Sequence, residues 1–213
     1  MVNYKKSLGI AICSFFGVLF LVGIIQTITN KLGLYNPSIS PIIWIFQDIV
    51  CCISMGYIAL NKVVRPALPG RIGAITLAAL FAIFAINLLM SYENINIFSI
   101  LGQYSSIIIC VVEIVAAALL FYHIKVWLPV KISALIYWIP CLCSSFYFSK
   151  MMSASEIVLK TDDWTFYEKI TNAIQICDSI SLTLAVLTIV LTVIWMGKKP
   201  DVSYSQSNSI EII

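Results

Sequence analysis

The chain has 213 residues, 61% of them hydrophobic and 11% charged, with a formal net charge of +3 and a mean hydropathy of +0.98. So few charges against so much apolar surface exclude an ordinary soluble domain, and the solvent implied is a lipid bilayer. No nucleic-acid partner, cofactor or metal is expected.

A spanning helix needs about 20 mostly apolar residues, and six runs qualify, at roughly residues 8–27, 42–60, 72–90, 97–122, 132–149 and 174–196. Runs such as Ile72 to Met90 are unbroken, whereas barrel strands would alternate in polarity over segments of about ten residues. The expected fold is therefore all-α, a polytopic bundle of six transmembrane helices. Residues 1–197 form the membrane domain and 198–213 a flexible cytoplasmic tail, polar and rich in Ser.

Basic residues near span ends are retained in the cytoplasm. With the amino terminus inside, the inner segments hold Lys5, Lys6, Lys62, Arg65, Arg71, Lys125, Lys131, Lys198 and Lys199. The outer segments hold only Lys31, Lys150, Lys160 and Lys169. Nine against four places both termini in the cytoplasm.

The first span follows Lys5 and Lys6 as a secretory signal would, but it is too long and lacks a small-x-small cleavage site, so it is expected to remain as a helix. Pro41 suits the first turn of the second helix, where a missing N–H costs nothing. On that helix Trp44, Gln47, Asp48, Cys51 and Ser54 share a face at helical spacing. The following segment, Asn61 to Arg71, is basic, contains Pro66, Pro69 and Gly70, and is read as a helix-breaking turn at the membrane face.

The third span recurs in alanine at Ala74, Ala78, Ala82 and Ala85, a small surface for close helix packing, with Asn87 near its outer end. A short connection, Ser91 to Asn96, makes the third and fourth spans an antiparallel hairpin. The fourth carries Gln103, Ser106, Cys110 and Glu113 as a ribbon of polar groups along one side.

Pro140 lies inside the fifth span and is expected to kink it, releasing a carbonyl four residues earlier. Cys141-x-Cys143 has no His or second Cys pair at zinc-site spacing and reads as packing residues. Lys150 to Thr171 is read as the one sizeable outer loop. Within it Asp163 is expected to cap a short interfacial helix with Trp164, Tyr167 and Ile170 on one face. The sixth span contributes Gln175, Asp178 and Ser181.

Asp48, Glu113 and Asp178 each sit inside an apolar run, 65 residues apart in both intervals. A carboxylate at the centre of a spanning helix costs about 3 kcal/mol on insertion scales, so such residues face a bundle interior, a partner or water. No spanning segment offers a buried Lys or Arg, and His123 lies about 15 Å from Glu113 along its helix, so the acids must be protonated, solvated or cation-bound. All three helices run from outside to inside, which lets the acids converge. Measured from span centres, Asp48 lies roughly 5 Å outward, Glu113 roughly 5 Å inward and Asp178 about 10 Å outward, a stagger that suits a path as well as a single site. The same interval overlays the odd spans on one another and suggests three helical hairpins.

Enzyme readings find no support: a single histidine cannot build a His-Glu-x-x-His centre, and Gly-x-Ser-x-Gly is missing. The expected function is a small proton- or cation-coupled transporter or channel in which Asp48, Glu113 and Asp178, with Gln47, Gln103 and Ser106, line the pathway of a proton, cation or small solute. The alternative is a non-catalytic assembly, immunity or regulatory protein that binds partner helices in the membrane. A multi-pass position in a plasma membrane, of the bacterial inner-membrane kind, follows from the lack of organelle addresses.

Overall fold

A computed structural model describes residues 2–32, 40–64, 66–91, 104–161 and 164–198, and within them the side chains of all but residues 2, 3, 30, 91 and 152–161. Every regular element among the described residues is a helix: α1 (Val2–Lys31), α2 (Ser40–Leu60), α3 (Leu68–Ser91), α4 (Ser105–His123), α5 (Leu128–Ile136), α6 (Trp138–Thr161) and α7 (Thr165–Gly197). With α5 and the first part of α6 taken as one bent span, six segments are long and apolar enough to cross a membrane. The chain is a multi-pass helical membrane protein, and its apolar outer surface contacts lipid.

The fifth span starts at Leu128 rather than 132. Pro129 stands in the first turn of α5, where its lack of an N–H is harmless. Pro140 cannot donate to the carbonyl of Ile136, and α5 ends at Ile136. Tyr137 keeps helical angles, φ −49° and ψ −36°, and its N–H still donates to the Ser133 carbonyl at 3.1 Å. The span therefore bends at Tyr137 without stopping.

Two connections differ from expectation. Leu68 to Arg71 belong to the first turn of α3 rather than to a turn outside it. Gly70 permits this, since a Cβ there would lie 2.7 Å from the Cβ of His123. The expected outer loop 150–171 is largely helical, because α6 continues to Thr161 and α7 begins at Thr165. Asp163 lies outside the described residues. Trp164 occupies the cap position without a side-chain cap bond and is exposed; it meets Tyr167 edge to face at 5.8 Å, while Ile170 is buried. At 33 residues α7 measures roughly 50 Å, longer than the hydrocarbon core of about 30 Å, so its ends extend into the interface. The connection 92–96 and the tail 199–213 also lie outside the described residues.

Successive spans are neighbours all the way round, α1 on α2, α2 on α3, α3 on α4, α4 on α5 and α6, these on α7, and α7 back on α1. The bundle is a closed ring. α2 packs on both of its chain neighbours, more extensively on α3 than on α1. Lipid is as apolar as a Leu side chain, so close packing rather than burial holds such helices together. On α1, Gly9 lies against the side chain of Met196 and Gly23 against Leu182, drawing α7 close. On α3, a Cβ at Gly73 would run into the Ala116 carbonyl and the Leu120 backbone. Of the alanine series, Ala74 and Ala85 are buried and Ala78 packs on the core. Thr188 and Thr192, fully buried on α7, satisfy their hydroxyls on the carbonyls of Leu184 and Thr188 at 2.8 and 2.7 Å.

Aromatic rings fill the middle of the ring of helices. Phe84 meets Phe81 at 5.8 Å between centroids, Phe81 meets Phe15 at 5.6 Å, and Phe15 meets Phe16 at 5.2 Å. Phe16 continues to Tyr137 at 5.2 Å and Tyr137 to Trp138 at 5.3 Å. All five contacts are edge to face, the arrangement that ring quadrupoles favour. The end where α1 begins and α7 finishes is basic and aromatic: Lys198 sits 3.5 Å from the Trp127 ring centroid, and the Lys5 ammonium donates to the Lys198 carbonyl at 3.3 Å.

Candidate functional site

The face of α2 that carries Asp48 turns inward. Asp48, Cys51, Ser54 and Met55 are buried, at successive turns of one side. Ser54 donates to the Val50 carbonyl at 2.8 Å and is thereby spent within its own helix. Asp48 is 5% exposed, and that exposure is to an open cleft of about 400 Å³. The cleft is lined by Gln26 of α1, Trp44, Gln47 and Asp48 of α2, and Phe84 and Asn87 of α3. It lies at the end of the bundle where α1 and α3 finish and α2 begins.

Glu113 is buried on α4 in line with Cys110, Ala116, Ala117 and Leu120. Asp48 and Glu113 lie within electrostatic range of each other, and the fully buried Cys51 is in range of both. Among the described residues neither carboxyl has a hydrogen-bond or ion-pair partner. His123 is occupied elsewhere, its Nδ1 paired with the Leu119 carbonyl at 2.9 Å and its ring against Tyr122.

Asp178 differs. It is exposed on α7, and its carboxylate accepts a 3.0 Å bond from the Ser144 hydroxyl of α6. It faces the surface seam between α6 and α7 rather than the interior shared by Asp48 and Glu113. A thread of polar groups nevertheless connects them. Cys141 is in electrostatic range of both Glu113 and Asp178, and its sulfur lies 3.5 Å from the Ser181 hydroxyl. Ser106 ties α4 to α6 by donating to the Ser145 carbonyl at 3.4 Å and stands apart from the cleft. Gln47 lines the cleft, and Gln103 lies outside the described residues. Among the described residues no three of His, Cys, Asp and Glu are grouped as a metal site.

Gln26, Phe84 and Tyr137 were not singled out from the sequence. Gln26 had a visible signal, a polar residue at the end of an otherwise apolar span. Phe84 had none, since one Phe in an apolar run looks like any other, and nothing local marked Tyr137, at the bend before Pro140, as lying in electrostatic range of Glu113. No protein-family model matches the chain, and neither does any curated protein or solved structure.

Proposed function

We propose that this protein is a small non-catalytic carrier, set in a plasma membrane with both termini in the cytoplasm, in which Asp48 and Glu113 take up and release a proton or cation as a solute passes. One observation supports it above others: two buried carboxyls on different helices, mutually in range and lacking a basic partner, one of them opening into a cleft. Ionisable groups in that situation are costly to keep unless they are used. The test is solute or proton flux in proteoliposomes. Glu113→Gln and Asp48→Asn are expected to abolish coupled flux, and unchanged, still pH-dependent flux in both variants would sink the mechanism.

A second reading, an interaction protein that binds a partner helix, draws on one feature. Gln175, Asp178 and Ser179 are exposed on α7 at spanning depth, where a carboxylate facing lipid is expensive. Cross-linking from position 175 to another polypeptide in native membranes, lost in Asp178→Asn, would favour it.

A further inference from the structure

The geometry points to the Asp48 cleft as a binding site for a small organic ammonium ion, a primary amine or quaternary ammonium carrying an apolar portion. The assignment rests on the carrier reading and names the class of its solute.

The lining sets the chemistry. Among the described residues of the lining Asp48 supplies the one formal charge, and it is negative; no Lys, Arg or His stands with them. Asp48 is 5% exposed, its carboxyl is unpartnered among the described residues, and it lines the cleft. That is an electrostatic demand left unmet within the chain. Gln26 and Gln47 bring amide oxygens, which accept from an ammonium N–H or face its positive methyl groups.

Trp44 separates an organic cation from an inorganic one. An indole face attracts cations that shed water readily, quaternary ammonium groups among them. A bare metal ion would want about six or more hard oxygen ligands, more than the one carboxylate and the two glutamine amide oxygens of the lining supply. The volume, about 400 Å³, falls in the range of small-molecule sites and far exceeds the need of a desolvated monatomic ion. Leu88 adds an apolar wall for the remainder of the ligand.

The site also closes on one side. Phe84 belongs both to the lining and to the stacked rings that run on through Phe81 and Phe15. A ligand seated on Asp48 would therefore rest against the first ring of the seal.

The test is calorimetric titration of the purified full chain in detergent with choline, with benzylammonium, and with 3,3-dimethylbutan-1-ol, the neutral isostere of choline. At least one of the two cations is expected to bind, tenfold or more tighter than the neutral isostere. Asp48→Asn should weaken that binding at least tenfold. Trp44→Leu should weaken it roughly threefold to thirtyfold, the range a desolvated cation–π contact spans. Should Asp48→Asn fail to give monodisperse protein, Trp44→Leu and Gln47→Leu carry the same comparison. Binding of neither cation, equal binding of the isostere, or displacement by sodium with the same Asp48 dependence would overturn the assignment. Glu113→Gln keeps the two proposals distinguishable. Proton-coupled flux abolished by that variant while no ammonium binds leaves the carrier standing and refutes the solute class; ammonium binding with no flux of any cation supports the site and refutes the carrier.

Discussion

Ser144 and Asp178 join α6 to α7: the hydroxyl donates to the carboxylate at 3.0 Å across the seam between the two helices. A second polar contact on the same seam joins Cys141 of α6 to Ser181 of α7 at 3.5 Å. Interhelical hydrogen bonds in bilayers average about 0.6 kcal/mol and reach about 1.7. A double-mutant cycle of Ser144→Ala and Asp178→Asn, followed by reversible unfolding in micelles, should give a coupling of about 1 kcal/mol. Additive effects of the two substitutions would show that the bond contributes nothing.

Gly73 should tolerate no side chain. Gly73→Val would drive a methyl-bearing carbon into the Ala116 carbonyl and Leu120 backbone, and neither atom can turn aside as a side chain would. We expect a loss of at least about 3 kcal/mol, the upper end for overpacking, seen as aggregation on size exclusion or a depressed thermal midpoint. Gly56→Ala is the control, since nothing lies within 4 Å of a Cβ at Gly56. Equal stability of the two variants would mean that α3 and α4 are not apposed at Gly73.

Phe16 is fully buried where three rings meet it, Phe15, Phe121 and Tyr137. Removing a buried Phe costs about 3–5 kcal/mol in a packed core, so Phe16→Ala should destabilise by about that amount. It should also raise passive leak of protons in proteoliposomes several-fold over wild type. A destabilised variant that remains as tight as the wild type would show that Phe16 is structural and not part of a seal.

Side-chain accessibility tests the orientation and the cleft together. Cysteine placed at Gln26 or Asn87 should react with an impermeant maleimide applied to intact cells, whereas cysteine at Lys62 should react only after permeabilisation. Native Cys51, fully buried one turn below Asp48, should stay unlabelled. Labelling of position 62 from outside would invert the topology.

The six spans were legible because a run of twenty apolar residues has few other uses. Their ends were less so: α1 and α7 continue past their apolar runs, since at the interface polar residues extend a helix at little cost. The bend in the fifth span was legible from Pro140, and its position follows from the hydrogen bond that Pro140 cannot make. The ring closure was not. Gly9 and Gly23 are spaced by fourteen residues on one face of α1, but their partners, Met196 and Leu182, lie at the other end of the chain. Local pattern carries no information about such pairing. In sequence the three acids differ only in depth along their spans, yet Asp48 and Glu113 turn inward while Asp178 stays at the surface. What separates them is the rotation of each helix about its own axis, and that is set by neighbours rather than by the residues flanking the acid.

On the carrier reading the stacked rings from Phe84 to Trp138 would also divide the bilayer electrically. Water in the open cleft would carry the potential of its own side inward as far as Asp48, and the low-dielectric stack begins at Phe84, in the lining of the cleft itself. Most of the transmembrane voltage would then fall across the rings rather than over the full thickness of the membrane. A cation would reach Asp48 almost without feeling the field, and would exchange nearly the whole of it, about 2.3 kcal/mol per charge at 100 mV, in the step past Phe81 and Phe15. Voltage should accordingly alter the rate of passage and leave the affinity of the cleft nearly unchanged.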